Sequence, residues 1–197
     1  AAILHLHARN PEDGSPTADP AIFDRIVPRI RERTDAVINI TTGGSTRMTL
    51  DERLAYPLQL KPEMCSLNMG SMTFSIHPAA RKIQTWKYPW EKPYIEGMED
   101  MIFRNTFRDI KYILRVLGDE CGTRFEFESY DVGHLHNLRH FVDEGLIKPP
   151  FFIQTVLGIL GGLGPDPENL MIMRQTADRL FGRENYGARQ ALMLTPA

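Results

Sequence analysis

Residues 124–145 read RFEFESYDVGHLHNLRHFVDEG, and they set the pattern for the rest of the chain. Phe125 and Phe127 alternate with Glu126 and Glu128, so a strand from Arg124 to Tyr130 has one apolar and one acidic face. From Val132 the apolar spacing changes to that of a helix, which runs to Glu144 and meets its stop signal at Gly145. A strand handed directly to a helix is one βα unit.

Working outward, the unit recurs about five times along the chain. Strands are expected at Ala1 to His7, Ala36 to Thr42, Met64 to Met72 and Phe151 to Leu157. Asp19 and Pro20 offer an N-cap and a first helical residue for a helix reaching Arg33, which Pro28 should bend or shorten. Further helices are expected over Thr49 to Leu58, over Tyr94 to Leu117 with Ile102, Ile110, Ile113, Leu114 and Leu117 buried, and from Asp166-Pro167 to Phe181. Near-continuous apolar strands joined by helices predict an α/β fold with a parallel sheet. An open doubly wound sheet and a TIM (β/α)8 barrel both satisfy this order. The barrel is favoured because no GxGxxG follows a strand and polar residues stand near the C-terminal end of each one. Those residues are His5, His7, Thr41, Thr42, Ser66, Asn68, Glu128 and Gln154, and that rim is where barrel active sites are built. A barrel has eight strands, so an incomplete TIM barrel is expected here.

The bulk numbers suit this. The chain has 197 residues, 42% hydrophobic and 24% charged, which supports a single domain over residues 1–197. Net charge is −2, and Arg25, Arg29, Arg31 and Arg33 are interleaved with Asp24, Glu32 and Asp35, which argues against a nucleic-acid surface. Two separated cysteines, Cys65 and Cys121, argue against a disulfide framework and for a reducing, cytoplasmic setting. No apolar run reaches the roughly 18 residues of a membrane span.

His5 and His7 lie one residue apart on a strand, so both imidazoles face the same side, roughly 6–7 Å apart at Cα, as two ligands of one metal would. Hydrogen-bonded histidines in a polar barrel mouth satisfy the same spacing. His134 and His136 repeat the HxH pattern on a helix, where they diverge by about 200° and cannot easily share an ion. Thr41, Thr42, Gly43 and Gly44 close a strand with hydroxyls and small residues, suited either to an approaching anion or to a plain βα turn. Ser66 and Asn68 share a face and could bond substrate oxygens. Glu128 sits nearer the rim than Glu126, which is expected in a buried ion pair deeper in the barrel. The glycines at 158, 161, 162 and 164 suggest a loop that hugs a ligand.

The stretches ILHLHAR, INITTGG, LKPEMCSLNMGSM, FEFESYDVGHL, KPPFFIQTVLGILGG and PENLMIMRQTADRLFG, in that order, resemble the β-keto acid cleavage enzyme family, the 3-keto-5-aminohexanoate cleavage enzymes among them. The resemblance implies a TIM barrel, one Zn2+ per chain on His5 and His7, acetyl-CoA as co-substrate, and a homotetramer. It implies transfer between a β-keto acid and acetyl-CoA, giving acetoacetate and a new CoA thioester by Claisen and retro-Claisen chemistry. Thr41, Gly43, Gly44 and Ser66 would meet the carboxylate and keto oxygens, Glu128 the distal end of the substrate, and Asn68 is added on position alone. The family's Arg-x-Gly-x-Glu-Asp segment, with the third zinc ligand and the proton-transfer Arg and Asp, has no match here, so no catalytic base is assigned. Residues are expected to be missing at both ends and around Tyr186 to Gly187. Two other readings stay open: a non-catalytic barrel remnant, and a zinc hydrolase of the amidohydrolase kind.

Overall fold

A computed structural model describes residues 2–192, and of residues 188–192 the backbone. Six strands follow chain order in one sheet: β1 (Ile3–Leu6), β2 (Val37–Thr41), β3 (Met64–Asn68), β4 (Arg124–Ser129), β5 (Phe151–Leu157) and β6 (Tyr186–Leu192). The strand pairs β1–β2, β2–β3 and β5–β6 are parallel. A doubly wound sheet reverses its strand order at a switch point, whereas a (β/α) barrel adds each strand beside the last. The unbroken order is that of the barrel. The sixth strand corrects the count of five made from sequence: Tyr186 and Gly187 lie in a strand paired with Phe151 and Phe152.

The chain forms two compact units, Ala1–Leu67 with Arg108–Glu126, and Asn68–Phe107 with Phe127–Ala197. In the first, α1 (Pro20–Arg31) opens as expected, with the Asp19 carboxylate accepting from Ala21 N at 2.9 Å. Pro28 does not end it; residues 24 and 28 are exposed, so the carbonyl that loses its donor can turn to water. α2 (Leu50–Leu60) begins in a capping box, in which Thr49 Oγ1 accepts from Glu52 N and Glu52 Oε2 from Thr49 N. Phe23 stacks on Tyr56 at 4.5 Å and 9°, joining the two helices. On the apolar side of the sheet Ile38, Ile40 and Leu67 are fully buried with Leu54 of α2, each contributing roughly 1.5–3 kcal/mol. Alternation sends Ile38 and Ile40 to that apolar side and Asn39 and Thr41 to the other.

In the second unit, α5 (Val132–Asp143) packs on α6 (Pro167–Phe181), and Phe151, Phe181 and Tyr186 meet edge to face. Met72, Phe103, Tyr130, Val156 and Ile159 form a cluster here. Strand β3 is shorter than expected, and Met72 instead exchanges backbone hydrogen bonds with Phe103, at 3.0 and 2.8 Å. That exchange breaks the long helix expected over Tyr94 to Leu117. The segment is α3 (Glu91–Glu96), a 3-10 turn (Gly97–Asp100), an extended stretch from Met101, then α4 (Phe107–Ile113), which widens into a π-helix (Leu114–Asp119). Ile110, Ile113, Leu114 and Leu117 are buried as expected, but Ile102 is 63% exposed. Phe103 reaches the cluster only if its backbone leaves the helix.

His134 on α5 is buried, and its Nδ1 accepts from Tyr130 N at 3.2 Å, so its proton is on Nε2. Desolvation lowers its pKa, with Asp131 opposing. The unfolded imidazole takes up a proton as pH falls through about 6.5, while the folded one resists. Stability is therefore lost as pH falls from above 6.5 toward the lowered folded value. His134→Asn, whose Oδ1 can still accept from Tyr130 N, should show a smaller drop in melting temperature between about pH 8 and pH 5.5 than the parent. An equal drop would remove His134 from the account.

Candidate metal and substrate site

The polar side of the first unit's sheet gathers the site. His5 pairs with Asn39 in the β1–β2 register, and Thr41 with Ser66 in β2–β3, which puts these side chains on one face. Asn39, Ser66 and Glu126 are almost wholly buried there, at 0%, 1% and 1% exposure. Burying a carboxylate requires compensation. Glu126 Oε2 obtains it by accepting from Asn39 Nδ2 at 2.6 Å and lying 3.1 Å from His5 Nδ1. Glu126 is buried as expected, and the group that stands against it is a histidine.

This has a consequence for His5. A carboxylate on Nδ1 fixes the ring's tautomer and orientation and turns Nε2 away, as in carboxylate–histidine–metal arrangements. His7 lies beside it with the rings stacked, centroids 5.0 Å apart and 16° between planes. The His7 pKa is lowered, first by desolvation and then by the charges of His5 and Arg9. The residue opens to solvent on one side, so water offsets part of that desolvation. The lowering favours the neutral imidazole that a metal ion needs. Asn39 Oδ1 is buried with no hydrogen-bond partner among the described residues, at a cost of about 1–3 kcal/mol. An unmatched acceptor beside two imidazoles and a carboxylate fits a site built for a bound group, and these donors suit zinc or a neighbouring divalent ion. Cys65 offers nothing here, since burial pushes its thiol up to about 12.

The loop after β2 shows the turn chemistry. Gly44 has φ +59, and a Cβ there would lie 2.7 Å from Met48 Sδ and 3.2 Å from Arg53 Cγ, so glycine is needed for conformation and space alike. Gly43 N donates to Thr41 Oγ1 at 3.0 Å and Thr42 Oγ1 donates to the Ser66 carbonyl at 2.7 Å. Buried Arg53 holds the loop from behind, donating through Nη1 to the Thr42 carbonyl at 3.1 Å. Its place in α2 gave no sign of this. Asn39 was the readable omission, a lone amide in the apolar run VINIT.

In the second unit, Asn68 is buried, and its carbonyl accepts from Asn105 Nδ2 at 2.6 Å. Glu128 is 7% exposed, and its Oε2 accepts from the Tyr130 hydroxyl at 3.2 Å. Strand alternation puts Glu128 on the same side of β4 as Glu126. The glycine-rich loop turns out to hug protein. Gly158 N donates to Leu163 O at 2.8 Å and Leu163 N to Tyr130 O at 2.9 Å. A Cβ on Gly161 would fall 1.5 Å from the Thr73 carbonyl oxygen, and one on Gly162 would lie 2.8 Å from that of Tyr130. The second HxH divides as expected: His134 is buried and His136 is exposed, on different sides of α5.

The model of one protein family, beta-keto acid cleavage enzyme, matches residues 1–193. The chain is 57% identical over 184 residues to a 3,5-dioxohexanoate:acetyl-CoA acetone transferase of Paraburkholderia graminis, covering 93% of this chain and 59% of that protein. It is 33% identical over 160 residues to a 3-keto-5-aminohexanoate cleavage enzyme of Fusobacterium nucleatum, covering 81% of this chain and 49% of that one. The chain thus spans about half to three-fifths of the length of these relatives. Among solved structures it resembles apo ObcA, with a TM-score of 0.62 at 15% identity, over 96% of this chain and 46% of that one, a likeness of fold.

Proposed function

The chain belongs to the beta-keto acid cleavage enzyme family, and on that premise we propose that the protein transfers the acyl group of a β-keto acid to coenzyme A, with acetyl-CoA as co-substrate. In this reaction the bond between the keto carbon and the CH2 of the acid breaks. The CH2–carboxylate fragment joins the acetyl carbon to give acetoacetate, and the remaining acyl group leaves as a new CoA thioester. The observation that carries the reading is the His5–Glu126 contact with His7 stacked alongside. That constellation suits zinc binding far better than a remnant that has lost its chemistry. Among the described residues the later strand ends bring Glu128 and Gln154 rather than the further histidines of an amidohydrolase-like site.

Zinc held by His5 and His7 would supply Lewis-acid polarisation of the keto oxygen. The remaining work falls to the chain's own groups. Glu126 orients His5, and Asn39 holds Glu126. Thr41, Gly43, Gly44 and Ser66 are assigned to the substrate carboxylate and keto oxygens, and the Gly43–Thr41 bond leaves the Thr41 hydroxyl proton to donate outward. Asn68 and Glu128 are assigned to substrate contacts, Glu128 at the distal end. The 57% identity to an enzyme named for 3,5-dioxohexanoate makes that acid the first substrate to try. A homotetramer is proposed on the family alone. A cytoplasmic setting accords with the absence, among the described residues, of any helix long and apolar enough to cross a membrane.

The test is elemental analysis of the protein expressed from its full gene, with acetoacetate measured from acetyl-CoA and a β-keto acid panel. The expected result is about one zinc per chain together with acetoacetate formation. Protein that binds no divalent metal and forms no acetoacetate would establish the remnant reading.

A further inference from the structure

Tyr130 follows β4 two residues after Glu128, and the fold fixes its ring and backbone together. The edges of Phe74 and His134 meet the ring at 6.0 Å and 6.1 Å between centroids, and Met72, Phe103, Val156 and Ile159 pack with it. Its N–H donates to His134 Nδ1, and its carbonyl accepts from Leu163 N. What stays mobile is the rotation of the hydroxyl hydrogen about the C–O bond. That hydroxyl donates to Glu128 Oε2 at 3.2 Å, well beyond the roughly 2.5–2.7 Å of a strong O–H···carboxylate bond. A long bond of this kind is easily exchanged for another acceptor.

The two side chains differ in what they can recognise. An ionised Glu128 only accepts, so it repels a carbonyl oxygen, while Tyr130 can donate to one. We infer that Tyr130 is a specificity-determining residue, its hydroxyl serving as donor to a second acceptor oxygen at the far end of the β-keto acid. This rests on the reading of the protein as a β-keto acid cleavage enzyme with Glu128 at the distal end of its substrate. The substrate class that follows is a β-keto acid carrying a further carbonyl beyond the keto group.

The test compares 3,5-dioxohexanoate with 3-oxohexanoate, which has the same length and CH2 in place of the distal carbonyl, in the parent enzyme and in Tyr130→Phe. The parent should favour the dioxo acid in kcat/KM. In Tyr130→Phe that preference should shrink about tenfold, the loss of one buried hydrogen bond, through KM on the dioxo acid with kcat and the plain acid little changed. Adding Glu128→Gln, whose amide brings back a donor, should recover part of the preference. Equal losses on both acids would mark Tyr130 as structural only, and an unmoved ratio would also overturn the inference. If the parent makes acetoacetate from neither acid, the reaction reading fails, and this inference goes with it.

Discussion

His5→Ala is expected to take metal content from about one ion per chain to near none, and acetoacetate formation to background with it. The effect should exceed the 10–100-fold loss of affinity typical of changing a residue that only orients a ligand, because here the ligand itself is removed. It should also destabilise the fold. Glu126 is 1% exposed and lies 3.1 Å from His5 Nδ1, so the truncation removes a buried carboxylate's donor at a cost of about 1–3 kcal/mol. His5→Asn separates the two roles. Its Nδ2 can still donate to Glu126, so thermal stability should largely return while metal and activity do not. Retention of both metal and activity in His5→Ala would sink the site.

Gly161→Ala is expected to destabilise the protein by about 4 kcal/mol or more, lowering its melting temperature by roughly 10 °C. Two causes act together. Gly161 has φ +101, which L side chains rarely adopt, and its Cβ would fall 1.5 Å from the Thr73 carbonyl oxygen. A backbone atom cannot swing aside as a side chain can. Gly122→Ala is the control: φ is +71 and nothing lies within 4 Å of the new Cβ. Only conformational strain applies there, on the order of 1 kcal/mol. If both variants melt alike, the close packing of residues 158–164 against their neighbours is wrong. This pair also bears on function, because a loop filled by its own backbone has no need of a ligand to explain its glycines.

Much of the fold was legible in the sequence because the signals were local. The alternation of Phe125 and Phe127 with Glu126 and Glu128, the Asp19-Pro20 start of α1 and the Gly145 stop after α5 each act through a few neighbouring dihedrals. The segment around Tyr94 to Leu117 misled for the same reason. Its helical spacing is real over Ile110 to Leu117, but the backbone exchange between Met72 and Phe103 outweighs it further back. The sixth strand was missed because YGARQAL has neither the β-branched run of β2 nor the aromatic alternation of β4, and its place comes from pairing with β5.

At the site the division follows the same physics. That His5 and His7 stand side by side was readable from their spacing, although β1 ends at Leu6 and His7 lies just past it. That Glu126 meets His5, and accepts as well from an Asn39 lying 87 positions before it, depended on strand register across the sheet. Periodicity names the side on which a side chain lies, and only the tertiary structure sets which group stands 3 Å away.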